Sequence, residues 1–262
     1  MIKTALGSGT MSLKKLLRQA LAAVLFIIFG VICMVGNLIF LPIVILGLHK
    51  FKTVQNLSRD SVWLSWKFFI AVSKFFGYLD YKFYIKTDLG KNSQMIVANH
   101  PSLLDVVFLI SKIRRANCIV KGDLTKNVFL SSAIKACGYI PNTANEELLE
   151  RSVCALENGE NLIVFPEGTR TKDEINFHKA ASHIATKAAS EIIGIAINMQ
   201  PRSLRKGEPW YSTPDVMIKY DFYELFCLDM KGFFAHKPNP IRAKELHRYM
   251  NEIYRKEFEC KS

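Results

Sequence analysis

Two short stretches of this 262-residue sequence carry side chains that could do chemistry together. The first is Asn99-His100-Pro101-Ser102-Leu103-Leu104-Asp105. A neutral imidazole can take the proton of a hydroxyl as that hydroxyl attacks. A carboxylate bonded to the other ring nitrogen fixes the tautomer and stabilises the imidazolium that forms. The segment reads as a strand-to-helix transition with Pro101 at the first helical position. That places Asp105 a little over one turn inside the helix, from where its carboxylate can reach back to His100. Ser102 lacks the Gly-x-Ser-x-Gly setting of a hydrolase nucleophile, and capping the helix is the role its position predicts. The second stretch is Phe165-Pro166-Glu167-Gly168-Thr169-Arg170, a tight polar turn after an apolar run. Its guanidinium can grip a phosphate through two parallel bonds, and its glycine lets backbone N–H groups approach an anion. Taken singly, each stretch has a plainer explanation: an accidental His–Asp spacing, and an ordinary solvated turn.

Such residues need a scaffold, and hydrophobic periodicity predicts one. Met95–Ala98, Cys118–Val120, Leu162–Phe165, Ile192–Asn198 and Val216–Phe222 read as strands. Ser102–Ile113, Lys126–Cys137, Asn145–Asn158 and Phe177–Ser190 read as helices, and Leu246, Tyr249, Met250, Ile253 and Tyr254 recur at helical spacing. This alternation implies an α/β fold, a single domain with a largely parallel, mixed sheet flanked by helices. Pro201–Pro214, with Gly207 and Pro209 inside it, reads as a long functional loop.

Ahead of that domain lies a membrane-anchoring helical segment. From Ala20 to Leu48 the only strongly polar side chain is Asn37, and as one straight helix the run would be about 44 Å long against a hydrocarbon core of about 30 Å. Gly36-Asn37 invites a turn and Pro42 resists a helix interior. Two anchors fit: one tilted or kinked span, or two shorter helices that dip into one leaflet and return. Lys14, Lys15 and Arg18 precede the run and Lys50 and Lys52 follow it, so both flanks are basic. A re-entrant hairpin, with both flanks cytoplasmic, suits that pattern better. Val62–Phe76 is either an interfacial helix with Trp63 and Trp66 at headgroup level or an amphipathic helix packed on the catalytic domain. The expected layout is a basic segment over 1–19, anchor and interfacial helices over 20–80, and a catalytic domain over 81–262.

Net charge is +12, which suits an anionic partner such as a bilayer leaflet or an acidic carrier protein. The basic residues are scattered and not interleaved with stacking aromatics, which argues against nucleic acid. Cys33, Cys118, Cys137, Cys154, Cys227 and Cys260 form no CxxC and no metal-ligand spacing, so neither a metal site nor a disulfide framework is expected. That usage fits a reducing, cytoplasm-facing location. His178, His183, His236 and His247 are expected in surface or packing roles.

The two stretches together are far more specific than either alone. NHPSLLD, followed some sixty residues later by FPEGTR, resembles the glycerolipid acyltransferases, typified by lysophosphatidic acid acyltransferase. The resemblance covers roughly residues 90–200, including Ile119-Val120-Lys121, Gly138-Tyr139-Ile140 and Phe177 to Ala189. It implies a membrane-bound enzyme that moves a fatty acyl group from acyl-CoA or acyl carrier protein to a lysophospholipid, typically 1-acyl-sn-glycerol-3-phosphate, giving phosphatidic acid. An acyl thioester is already activated, so the hydroxyl can attack it directly. The resemblance makes His100 the base and Asp105 its partner, and ties Glu167, Gly168, Thr169 and Arg170 to acceptor binding, with Lys121 a further lining candidate or a solvent-facing strand end. It implies no bound cofactor and no metal. The implied partners are the lipid bilayer, the lysolipid acceptor and acyl carrier protein. The implied location is a bacterial inner membrane, with the catalytic domain facing the cytoplasm. There are departures. Where the family often has Gly-x-x-Phe-Ile-x-Arg, this chain reads Gly138-Tyr139-Ile140-Pro141-Asn142-Thr143-Ala144, so that arginine is absent. The later Val-Pro-Val-x-Ile block reads Ile195-Ala196-Ile197-Asn198-Met199. GYIPN and the Leu204–Tyr211 stretch resemble a bacterial branch associated with aryl-polyene or unusual-lipid biosynthesis. These differences leave open a non-phosphorylated or polyketide-linked acceptor. A catalytically silent membrane-binding protein is the third alternative.

Overall fold

Gln94–Ala98 (β2) is buried at every position, as a central strand with parallel neighbours requires. Its alternate residues serve two cores. Ile96 and Ala98 join one cluster with Phe108 and Phe222, whereas Met95 and Val97 join another with Ile184, Leu246 and Tyr254. Helices therefore cover both faces of a sheet. The computed structural model describes residues 13–143, 145–171, 175–205, 207–209 and 211–259. Most of the basic N-terminal segment, Ala144, Lys206, Trp210 and Cys260 fall outside those residues.

The chain runs α1 (Leu13–Ile45), α2 (Lys52–Phe75), β1 (Leu79–Tyr84), β2, α3 (Asp105–Lys112), β3 (Asn117–Lys121), α4 (Ser131–Ala136), β4 (Ile140–Asn142), α5 (Asn145–Glu157), β5 (Leu162–Val164), α6 (Ala180–Ala188), β6 (Glu191–Gln200), β7 (Ile218–Asp229) and α7 (Asn239–Glu259). The described strands form a seven-stranded sheet in the order β1-β7-β6-β2-β5-β3-β4. All pairings are parallel except β6 with β7. The α/β expectation with a largely parallel, mixed sheet holds. β1 and β4 were not foreseen. Both are edge strands, β1 with polar residues interleaved and β4 only three residues long with Pro141 inside it, a residue an edge tolerates.

Three helical expectations need correction. Helix α3 starts at Asp105 and not at Pro101, because the Ser102 and Leu104 N–H groups turn to the Asp105 carboxylate and the Ser102 hydroxyl instead of a helical ladder. Helix α4 is shorter than expected; Asn127 accepts the Phe129 N–H in a local turn, and Gly122–Lys126 forms a 3-10 turn. The re-entrant hairpin is not found: α1 is one continuous helix. Asn37 does not turn the chain, because its side-chain oxygen accepts the Ser132 N–H near the start of α4. Pro42 sits in the last turn, and the helix stops just beyond it at Gly47, whose φ of 71° is a left-handed helix terminator.

By length and composition α1 is the one helix among the described residues able to cross a membrane. It also docks on the domain. Arg18 donates to the carbonyls of Pro214 and Tyr78, and Phe29 stacks on Trp66 of α2 at 5.1 Å. Trp66 is thus turned to α1, while Trp63 lies under the cations of Lys67 and Arg114. Helix α2 packs on α1 and α3 and leaves Leu64, Phe68 and Phe75 exposed. Its buried Arg59 bridges to Glu160 at 2.6 Å and to the Cys137 carbonyl at 2.7 Å.

Candidate active site

In a parallel sheet, loops leaving the carboxyl ends of neighbouring strands meet over the same edge. Strands β2 and β5 are such neighbours, with Met95 opposite Leu162 and Val97 opposite Val164. The loops that follow are the two sequence motifs, so the register brings His100 and Glu167 together across 67 residues of chain.

His100 Nδ1 lies 2.8 Å from Asp105 Oδ2. That oxygen also accepts the Ser102 N–H at 2.7 Å, and Oδ1 accepts the Ser102 hydroxyl at 2.7 Å. Asp105 is wholly buried, so its acceptor capacity goes to protein donors, and Nδ1 is the protonated nitrogen of His100. Nε2 is left as the basic atom. The His100 side chain remains 19 % exposed, which keeps that atom reachable, and the ring stacks on Phe165 with centroids 4.4 Å apart. Ser102 cannot serve as a nucleophile here. Its one hydrogen goes to Asp105, and its oxygen accepts from the Leu104 N–H and from the buried Tyr220 hydroxyl.

The two motifs are locked to each other at His100. Its N–H is shared between Glu167 Oε1 and Thr171 Oγ1, each at 3.0 Å, and its carbonyl accepts the Thr171 N–H at 2.7 Å. Thr171 also donates its hydroxyl to Glu167 at 2.5 Å. Glu167 is buried, which pushes its carboxyl above the ordinary range, while the donors from Thr171 and His100 pull the other way. The structure thus makes Glu167 a clamp on the His100 main chain. Asn99 performs a similar task on the other side: its amide pairs with both the N–H and the carbonyl of Ile197, prolonging the β2–β6 ladder by one side chain.

Gly168 sits at the tip of the turn with φ of 65°, a conformation that suits glycine, and Thr169 is exposed beside it. Arg170 is half-buried, and its Nη1 donates to the Leu204 and Arg205 carbonyls at 2.9 and 3.1 Å. Lys121 ends β3, two strands away from β2, and its largely exposed ammonium pairs with Asp123. The structure therefore joins His100, Asp105 and Glu167 in one network, puts Gly168 and Arg170 at its rim, and leaves Lys121 in solvent. Next to the His100 loop, an apolar crevice is lined by Leu25 and Phe29 of α1, Phe69 of α2, and Leu103, Leu104 and Leu204.

Thr171 and Tyr220 were not picked out from sequence. Thr171 directly follows the second motif, and a hydroxyl four residues after a buried carboxylate was the available signal. Nothing local marks Tyr220, which lies 118 positions from Ser102. The buried Cys118 and Cys137 behave as expected of packing residues; burial pushes both thiols up to about 12.

Residues 81–198 match the acyltransferase family model. The chain is 28% identical over 148 residues to the 1-acyl-sn-glycerol-3-phosphate acyltransferase of Saccharomyces cerevisiae, a match covering 52% of this chain and 48% of that protein. It is 29% identical over 108 residues to a chloroplastic 1-acyl-sn-glycerol-3-phosphate acyltransferase of Arabidopsis thaliana, covering 38% of this chain and 30% of that one. The matches thus span about half or less of the length of these curated relatives. The crystal structure of the 1-acyl-sn-glycerophosphate (LPA) acyltransferase PlsC from Thermotoga maritima shares the fold, with a TM-score of 0.61 and 22% identity over 92% of this chain and 98% of that one. On these matches, residues 81–198 form an acyltransferase-type domain similar to that of the 1-acyl-sn-glycerol-3-phosphate acyltransferases.

Proposed function

We propose that this protein transfers an acyl group from a thioester donor, acyl-CoA or acyl carrier protein, to the free hydroxyl of a lysophospholipid. The acceptor we favour is 1-acyl-sn-glycerol-3-phosphate, the substrate in the names of its relatives. The observation that carries this reading is the imidazole of His100, held through Nδ1 by a buried carboxylate with Nε2 free and the ring partly exposed. Nε2 takes the hydroxyl proton as the oxygen attacks the thioester carbonyl. The tetrahedral intermediate collapses with cleavage of the C–S bond, and the imidazolium returns the proton to the leaving thiolate. The Asp105 carboxylate holds the ring in its tautomer and stabilises the transient cation. The crevice between α1, α2 and Leu103-Leu104 adjoins the His100 loop and is wholly apolar, but at about 20 Å³ it would admit an acyl chain only as these side chains part. In this reading the outward apolar faces of α1 and α2, with Leu17, Ile27, Leu38, Leu64 and Phe68 among their exposed residues, lie in a bilayer.

The test is purified protein with labelled acyl-CoA, or acyl carrier protein, and a panel of lysolipids. Wild type should acylate lysophosphatidic acid, and His100→Ala should lose about 10³-fold or more of that rate while staying membrane-associated. A His100→Ala rate within tenfold of wild type would remove the base and the mechanism with it. A second reading rests on Ala144, which stands where the family often has arginine: the acceptor would be a lipid hydroxyl without phosphate. Transfer confined to phosphate-free acceptors in the same panel would select it.

A further inference from the structure

Phe165, whose ring stacks on His100, also lines a cavity of about 750 Å³. Gly168 of the second motif and Asn142 at the end of β4 form part of its wall, His178, Lys179, His183 and His247 give it a basic side, and apolar side chains such as Leu148, Val164 and Ile184 line much of the rest. None of the four belongs to either motif. They come from the approach to α6, from α6 itself and from α7.

The cavity is built into the site. The His178 N–H donates to the Pro166 carbonyl at 2.8 Å, and its ring stands so close to the turn that a Cβ on Gly168 would lie 3.4 Å from Cδ2 and 3.5 Å from Nε2. The basic groups feel one another. Burial first, then the charges of Lys179, His183 and His178, lowers the pKa of His247. The histidines do not converge on a metal: no group of three or more possible ligands is placed to hold one among the described residues. Lys179, Ala180 and Ala181, which open α6, also line the cavity, and no side chain caps that helix start, so its N–H dipoles reinforce a preference for anions. The volume is that of a small-molecule site, and on its basic side the Lys179 ammonium, the imidazoles and the start of α6 offer donors that suit a phosphate.

We propose that His178, Lys179, His183 and His247 form a phosphate-binding subsite for one of the two substrates, an assignment that rests on the acyltransferase reading. It adds one ammonium and three imidazole hydrogen-bonding groups to a site where Arg170 spends Nη1 on two backbone carbonyls. Two sources bring the same chemistry: the phosphate of the acceptor, and the nucleotide phosphates of a coenzyme A donor.

The experiment uses the full chain in lipid nanodiscs, with His178→Gln, the pair Lys179→Ala/His183→Gln, and Lys187→Ala on the same helix as control. KM is measured for lysophosphatidic acid at saturating acyl-CoA and for acyl-CoA at saturating acceptor. Affinities for sn-glycerol 3-phosphate and for adenosine 3′,5′-bisphosphate are measured by calorimetry. The pair should raise one KM by about tenfold or more with kcat nearly kept, weaken the matching fragment to a similar degree, and leave the control at wild-type values. A shift in the acceptor and glycerol phosphate assigns the cavity to the acceptor; a shift in the donor and the bisphosphate assigns it to the donor. If both KM values and both affinities stay put in a preparation whose wild type turns over, or if kcat alone falls, the subsite is overturned and the acyltransferase reading stands. If the wild type binds a fragment and the variants do not, but no acyl transfer occurs with any acceptor, the acyltransferase reading fails and the anion site remains. His178 holds the turn through its main chain, Lys179 is exposed and His183 is half-buried, and the melting temperature of each variant checks that the fold is kept.

Discussion

The three donors that Asp105 accepts serve two purposes. The His100 bond sets the tautomer, and the Ser102 N–H and hydroxyl fix the carboxylate so that the ring cannot drag it away. An amide cannot accept all three. Asp105→Asn should therefore lower kcat by roughly 10²–10⁴ with little change in either KM, because either the tautomer or the Ser102 bonds are lost. Steady-state rates on folded variant check this, and a loss under tenfold would show that the pairing is only architectural. Glu167 gives a pH-dependent counterpart. Its folded pKa is raised above the ordinary 4.5, so the folded state holds the extra proton in the window just above that value, and stability falls as pH rises through it. Glu167→Gln can still accept from His100 and Thr171 but does not titrate. The melting temperature of the variant relative to wild type should therefore climb with pH across that window and then level off; a constant or falling difference contradicts the raised value.

At the scale of elements, the site is as rigid as the strands beneath it. Strand β6 carries a register irregularity at Gly194/Ile195, and there a Cβ on Gly194 would lie 2.3 Å from the Phe226 ring of β7. That ring is buried, so it cannot swing into solvent. Gly194→Ala should destabilise the protein by about 1–3 kcal/mol through overpacking, read as a lower denaturant midpoint at unchanged slope. An unshifted midpoint would mean that β6 and β7 part easily. Elements also show where local sequence misleads. NHPSLLD has the composition of a helix entry, and Pro101 fits a first turn, yet the donors that would open the helix are taken by Asp105 and Ser102. In α1, Gly36-Asn37 looks like a turn, but Asn37 satisfies the Ser132 N–H and the helix continues. In both places a polar side chain finds a partner that a propensity argument does not contain.

At the scale of the whole molecule, α1 is both a wall of the crevice and the most apolar exposed surface. Its outward residues include Leu13, Leu17, Ile27, Leu38 and Ile45, each at least 60% exposed. Net charge of +12 draws the chain toward an anionic leaflet, but apolar burial is insensitive to screening. Membranes washed in about 1 M salt, where charges are screened within about 3 Å, should retain the protein, and detergent should release it. Release by salt alone would make the attachment electrostatic and α1 a domain helix only.

The sequence by itself determined the chemistry-bearing residues and the class of scaffold. A histidine five positions before an aspartate, a turn at the end of an apolar strand, and alternating strand and helix periods are local facts, legible because period and spacing need no knowledge of distant partners. The apolar N-terminal run was legible for the same reason; its course as a single helix was not. Only the tertiary structure decided what depends on register between strands far apart in the chain. With Met95 set opposite Leu162, Glu167 and Thr171 arrive at the His100 main chain; the β2–β6–β7 pairings bring Tyr220 to Ser102; and three histidines expected in surface or packing roles line one cavity beside Gly168. Those meetings are set by strand pairing and by helices closing over both faces of the sheet, and no window of sequence contains both halves of any of them.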